Sequence, residues 1–174
     1  MNVFVAGGSA QLEDCRRIIS LVKDMGFYCF DWTDGFEAED ESIDPEIAHK
    51  VALRDLKELC ASDVLVWMAD IETRGALFES GAFTGIGIVE RALGAIRISG
   101  RNLCLDAVLG RFLGRKYAAS PRRCLILSEE KIDPRDIYAT MCDRTFDSLL
   151  TFDSLGIKDK LRGYERSFKG KVEF

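Results

Sequence analysis

The chain has 174 residues and a net charge of −5, with a single histidine, three prolines, 47% hydrophobic residues and 30% charged ones. That composition is long and apolar enough for one folded domain with its own core, and it excludes the disordered and fibrous classes. The acid excess leaves no electrostatic footprint for a nucleic-acid polymer, and no apolar window approaches the length of a membrane span.

The six cysteines, at 15, 29, 60, 104, 124 and 142, are scattered and form no C-x-x-C pair. Zinc and dithiol chemistry therefore lack their spacing, and the cysteines are expected to be reduced core residues of a cytoplasmic protein. The first apolar run stops at Gly7, too short for a signal peptide.

In chain order, Asn2 to Ala6 reads as a strand ending in Gly7, Gly8 and Ser9, after which Leu12, Cys15, Ile18, Ile19, Val22 and Met25 recur at helical spacing. Amides at such a glycine turn suit an anion or a sugar hydroxyl. Equally, the stretch is only a tight strand-to-helix turn, because it lacks the G-x-G-x-x-G and P-loop spacings. Gly26 closes the helix, and Phe27 to Trp32 reads as a second strand. An acidic loop follows, with Asp34, Glu37, Glu39, Asp40, Glu41, Asp44 and Glu46, either simply solvated or a lid over a site. Asp44-Pro45 opens a helix to about Cys60, with Ile47, Val51, Leu53, Leu56 and Leu59 as its apolar face.

Val64 to Ala69 is almost wholly apolar, as a central parallel strand must be. Asp70 or Thr73 caps a helix from about Gly75 to Ala92, whose small residues permit close packing against the sheet or another subunit. Further on, Ala95 to Ser99 reads as a strand, Leu103 to Leu113 as a helix, Cys124 to Ser128 as a strand after the basic loop Arg115 to Arg123, Tyr138 to Met141 as another strand, and Asp147 to Leu155 as a short helix. Residues 1–155 are expected to form one domain and 156–174 a basic tail, with Tyr164, Phe168 and Phe174, that docks on that domain or on a neighbouring subunit. The alternation predicts an α/β three-layer sandwich, Rossmann or flavodoxin-like, on a mostly parallel sheet of about five strands. Ligands of such sheets bind beyond the carboxyl ends of the strands, here Gly7 to Ser9, Asp31 to Asp34, Asp70 to Gly75 and Ser99 to Asn102.

Glu79, near the start of its helix, would sit at that crevice. The helix N-terminus is expected to keep it ionised near neutral pH, and an ionised, positioned carboxylate can attack a carbon bearing a good leaving group, such as the anomeric carbon of a sugar. A second carboxyl group is then needed for the proton on the departing group. Asp55 is the best placed in sequence, with Asp31 and Asp70 as rivals.

The segment RGALFESGAFTG, with the strand DVLVWMAD before it and RDLKELCASDVLV overlapping that strand, resembles the nucleoside 2-deoxyribosyltransferase family and its relatives that hydrolyse nucleoside monophosphates. The likeness covers roughly residues 2 to 100 and is sharpest at Gly75, Glu79 and Gly81. It implies that Glu79 is the nucleophile of a glycosyl-enzyme intermediate, that Asp55 assists at the sugar or base, and that Gly7, Gly8 and Ser9 lie beside the sugar. Thr73 stands where the transferases carry an acid, with Arg74 next to it. This pair looks like equipment for a phosphate, unless Arg74 pairs instead with the acidic loop. Phe4 replaces the family tyrosine, for which Tyr28 could substitute. The resemblance implies an enzyme cleaving the N-glycosidic bond of 2′-deoxynucleosides or their 5′-monophosphates, without cofactor or metal, assembled as a homo-oligomer. A nucleotide-binding module without turnover and a hydrolase of NAD or a related ribosyl nucleotide are the alternatives.

Overall fold

The computed structural model describes residues 1–34, 45–69, 79, 81–83, 85–87, 89–90, 122–128, 146–150 and 153–169. The elements are β1 (Asn2–Ala6), a 3-10 turn (Ser9–Gln11), α1 (Leu12–Asp24), β2 (Tyr28–Cys29), α2 (Pro45–Cys60), β3 (Val64–Met68), β4 (Arg123–Ser128), β5 (Phe146–Leu150) and α3 (Ser154–Lys169). Residues 79, 81–83, 85–87 and 89–90 are also helical.

The strands form one sheet in the order β2-β1-β3-β4-β5, with every neighbouring pair parallel. From β1 the chain moves outward to β2 and then returns to the other side of β1 as β3. The strand order thus reverses between β1 and β3, and this is the switch point at which a sheet of this order opens a crevice for ligands.

Every residue of β3 is buried, and its alternation divides the core. Val64, Val66 and Met68 share one cluster with Ile18, Ile19 and Val22 of α1 and with Ile157, Leu161 and Tyr164 of α3. Leu65 and Trp67 face the other way, into a cluster with Phe4, Leu59 of α2 and Phe83 of the Glu79 helix. The period of two along a strand therefore assigns α1 and α3 to one layer, and α2 and the Glu79 helix to the other. The glutamate and aspartate singled out in the sequence lie on helices of that second layer.

α1 ends as its sequence dictates. Gly26 adopts φ 79°, which only glycine does without strain, and its N–H donates to the Lys23 carbonyl at 2.9 Å while that of Phe27 donates to Val22 at 3.3 Å.

Four expectations are corrected. β2 covers only Tyr28–Cys29 rather than Phe27 to Trp32, because the Val5 carbonyl accepts from the indole N–H of Trp32 at 2.7 Å and the chain leaves the ladder. On α2, Ile47, Val51 and Leu53 are exposed and only Leu59 is buried, so the helix meets the sheet at its C-terminal end, with Leu56 packed beside Leu59. Residues 146–150 form a strand, not the start of a short helix, in register with β4 from Cys124↔Phe146 to Ser128↔Leu150. A short apolar run suits either state, and pairing to an open sheet edge decides it. The following helix starts at Ser154 instead, with Asp153 accepting the Gly156 N–H at 2.9 Å, and buries Ile157, Leu161 and Tyr164 at helical spacing. Finally, Cys15, Cys29 and Cys124 are buried but Cys60, at the end of α2, is exposed.

The expected strands at 95–99 and 138–141, the helix at 103–113 and most of the acidic loop lie outside the described residues. Among the described residues, no helix is long and apolar enough to cross a membrane.

Candidate active site

Strand β1 delivers Gly7 to the switch point. A Cβ there would stand 2.4 Å from the Cys15 Sγ and 3.3 Å from the Met68 Cβ, far inside ordinary contact, so only glycine lets the end of β1 nest between the first turn of α1 and the end of β3. Gly8 has extended backbone and its N–H donates to the Gln11 side chain at 3.3 Å, while Gln11 donates its own N–H back to the Gly8 carbonyl at 2.9 Å. Glu13 and Asp14 occupy the first turn of α1. The turn thus already uses one amide on Gln11, and its helix start already has carboxylates beside the positive end of the dipole. Ser9 opens the 3-10 turn and is exposed.

Glu79 and Asp55 are brought together. The Asp55 carboxylate is close enough to raise the Glu79 pKa by repulsion, and the charge of Glu79 in turn acts on Cys15 in α1. Burial is the larger cause for Glu79, and with Asp55 second it pushes the carboxyl up to about 7. The expectation of a group held ionised by its helix is therefore corrected. A helix terminus is worth about 0.3–1 kcal/mol to a charge, whereas burial can move a carboxyl by several pKa units at about 1.4 kcal/mol each. Cys15 is likewise pushed up to about 12, by burial first and then by Asp14 and Glu79, so its thiol stays protonated and takes no part as a nucleophile.

Asp55 is also raised by burial, but Arg54 opposes the shift. The Arg54 guanidinium donates to Asp55 Oδ1 through Nε at 3.2 Å and Nη2 at 3.1 Å, and it lies 5.0 Å above the Phe30 ring. A cation beside one member of a coupled acid pair settles where the proton resides. Both carboxyl groups are raised, Asp55 against the opposition of Arg54 and Glu79 up to about 7. Sequence reasoning passed over Arg54, although its position next to Asp55 was the available signal.

The remaining expectations divide. Asp31 receives the Lys23 ammonium at 2.8 Å and the Thr33 hydroxyl at 2.6 Å; burial raises its pKa but these partners outweigh it and leave it lowered. Its contacts are with the end of α1 and the turn after β2, not with Glu79. Tyr28 cannot serve as the missing family hydroxyl: it is 53% exposed, donates to Glu58 at 3.0 Å, and pairs with Asn2 at the start of β1, the opposite end of the strand from Gly7. Phe4 is fully buried in the second core cluster. In that same cluster the Trp67 indole N–H is buried with no hydrogen-bond partner among the described residues. Asp70, Thr73, Arg74 and Gly75 lie outside the described residues. Among the described residues, no group of three or more histidines, cysteines and acids gathers as a metal site.

Two interacting carboxyl groups, both with raised proton affinity, at the switch point of a parallel α/β sheet define a site suited to nucleophilic and acid–base work on a small ligand. No protein-family model matches the chain and no curated protein is similar to it in sequence. Solved structures do share its fold. One is a 2-deoxyribosyltransferase from the psychrotolerant bacterium Bacillus psychrosaccharolyticus, with a TM-score of 0.56 and 14% identity over 91% of both chains. Another is a CMP N-glycosidase from Clostridium botulinum, with a TM-score of 0.50 and 11% identity over 94% of this chain and 99% of that one. The architecture expected from the resemblance is thus the one found.

Proposed function

We propose that the chain cleaves the N-glycosidic bond of a 2′-deoxynucleoside or its 5′-monophosphate, with Glu79 as nucleophile and Asp55 as proton carrier. The observation that carries the reading is the Glu79–Asp55 pair, two partly desolvated carboxyl groups that share a site and differ in proton affinity. The fold shared with a 2-deoxyribosyltransferase and a CMP N-glycosidase supports it.

At neutral pH a carboxyl with a pKa of about 7 is protonated in about half of the molecules. In the reactive form the pair's single proton lies on Asp55 and Glu79 is ionised. Glu79 attacks C1′, the C1′–N bond breaks with its electrons leaving on the base, and Asp55 protonates that base. The sugar is then an ester of Glu79. Water or a second base attacks C1′, delivers its proton to Asp55 and frees the Glu79 carboxylate, so the configuration at C1′ is retained. In this reading Gly7, Gly8 and Ser9 lie along the sugar, Thr73 and Arg74 hold a 5′-phosphate, and Gly75, Asp31 and Asp70 line the crevice.

The test is mass spectrometry of the protein with a mixture of deoxynucleosides and deoxynucleotides, with and without a free acceptor base. Free base released in water indicates hydrolysis, and exchanged base indicates transfer. Release of nicotinamide from NAD in place of either would move the assignment to a ribosyl hydrolase, and binding without any product would overturn turnover altogether.

A further inference from the structure

The helices that carry the two carboxyl groups are joined at one side chain far along the sequence from both. Arg122, the residue before β4, has a side chain only 11% exposed. Its Nε and Nη2 donate to the two oxygens of Glu90 at 2.8 and 2.6 Å. The same guanidinium donates to the carbonyls of Leu59 at 3.4 Å, Cys60 at 2.8 Å and Ser62 at 2.8 Å, at and just past the end of α2. Its face lies 5.3 Å from the centroid of the Phe83 ring.

These contacts fall in a pattern. Leu59 is one helical turn beyond Asp55 and Phe83 is one turn beyond Glu79, while Glu90 lies farther down the same helix. We propose that Arg122 is a positioning residue, a clamp that fixes the spacing of the Glu79 and Asp55 carboxyl groups by locking their two helices at their lower ends. This rests on the functional reading above, in which that spacing matters for catalysis. The planar fork of arginine is needed, because one side chain grips a carboxylate with two parallel bonds, covers three carbonyls and stacks on a ring; a lysine ammonium offers the charge without that geometry. Sequence reasoning had no access to this residue, which stands in the sequence among the basic residues Arg115, Lys116 and Arg123.

Loosening the clamp separates the carboxyl groups and admits water. Both effects weaken what raises Glu79, whose described charged and titratable neighbours are Asp55 on α2 and Cys15 on α1. The experiment is a titration of Glu79 by carboxyl carbon NMR in the wild type, Arg122→Lys and Glu90→Gln, with base release measured over the same pH range. The clamp predicts a Glu79 midpoint at least about half a pH unit lower in Arg122→Lys, and a smaller shift of the same sign in Glu90→Gln. It also predicts kcat at least about tenfold lower with KM nearly unchanged, as for a misplacement remote from the chemistry. An unchanged Glu79 midpoint in folded Arg122→Lys would overturn the proposal. Should Arg122→Lys fail to fold, Glu90→Gln decides alone, since Glu90 is 40% exposed. If the wild type releases no base from any substrate, the functional reading falls while the NMR titration still decides the clamp.

Discussion

Glu79 sets the pH behaviour of the candidate site. Its pKa is raised from 4.5 to about 7, so the unfolded chain loses this proton first as the pH rises, and between those values the folded state binds the extra proton. Stability from this group is therefore present below the unfolded pKa and declines as the pH climbs from about 4.5 to about 7. Glu79→Gln removes the charge and keeps the shape. It should raise the unfolding free energy at pH 8 by an amount on the order of 2 kcal/mol, allowing for partial solvent screening, and leave it little changed at pH 4; urea titrations at both values check this independently of catalysis. Because the reactive form keeps one proton in the pair, the base-release rate should fall as the pH rises through about 7 and that proton is lost. Asp55→Asn removes the second cause of the shift, so the Glu79 midpoint should move to lower pH, and kcat should fall for a leaving base that needs a proton.

At the scale of elements, two contacts fix how helices meet the sheet. The end of β1 fits against α1 and β3 only because Gly7 has no side chain. Gly7→Ala should cost about 1–3 kcal/mol by overpacking, and Cys15→Ala in the same chain should restore a good part of it, a coupling that a double-mutant cycle in urea would reveal. On the same face, Asp147 of β5 accepts from the Tyr164 hydroxyl and the Lys160 ammonium of α3, each at 2.6 Å. Burial raises Asp147 but these partners prevail and hold it below the usual carboxylate range; burial, and then that carboxylate, raise the Tyr164 phenol. Because the Asp147 pKa is depressed, its contribution is present above the unfolded value and lost as the pH falls through the folded one. Tyr164→Phe should therefore cost about 1–2 kcal/mol near neutral pH. The difference from wild type should shrink on acidification below the ordinary carboxylate range, a trend that denaturation curves across pH would show.

At the scale of the molecule, the architecture was legible because β3 is apolar throughout and the helices around it carry a period near 3.6, which only a covered parallel sheet satisfies. The pairing of Asp55 with Glu79 was legible through the resemblance, since the two lie on separate helices and spacing alone left Asp31 and Asp70 as rivals. What remained hidden depends on contacts made by the folded chain. Burial outweighs the helix dipole at Glu79, Arg54 opposes the rise at Asp55, β5 takes a sheet edge that periodicity cannot see, and Arg122 joins two helices from far along the sequence. The central claim is that Glu79 attacks C1′, and its most direct measurement is base release from deoxynucleosides and deoxynucleotides by the wild type and by folded Glu79→Ala, followed by mass spectrometry. The account predicts release by the wild type and none above background by the variant; equal release by both would contradict it.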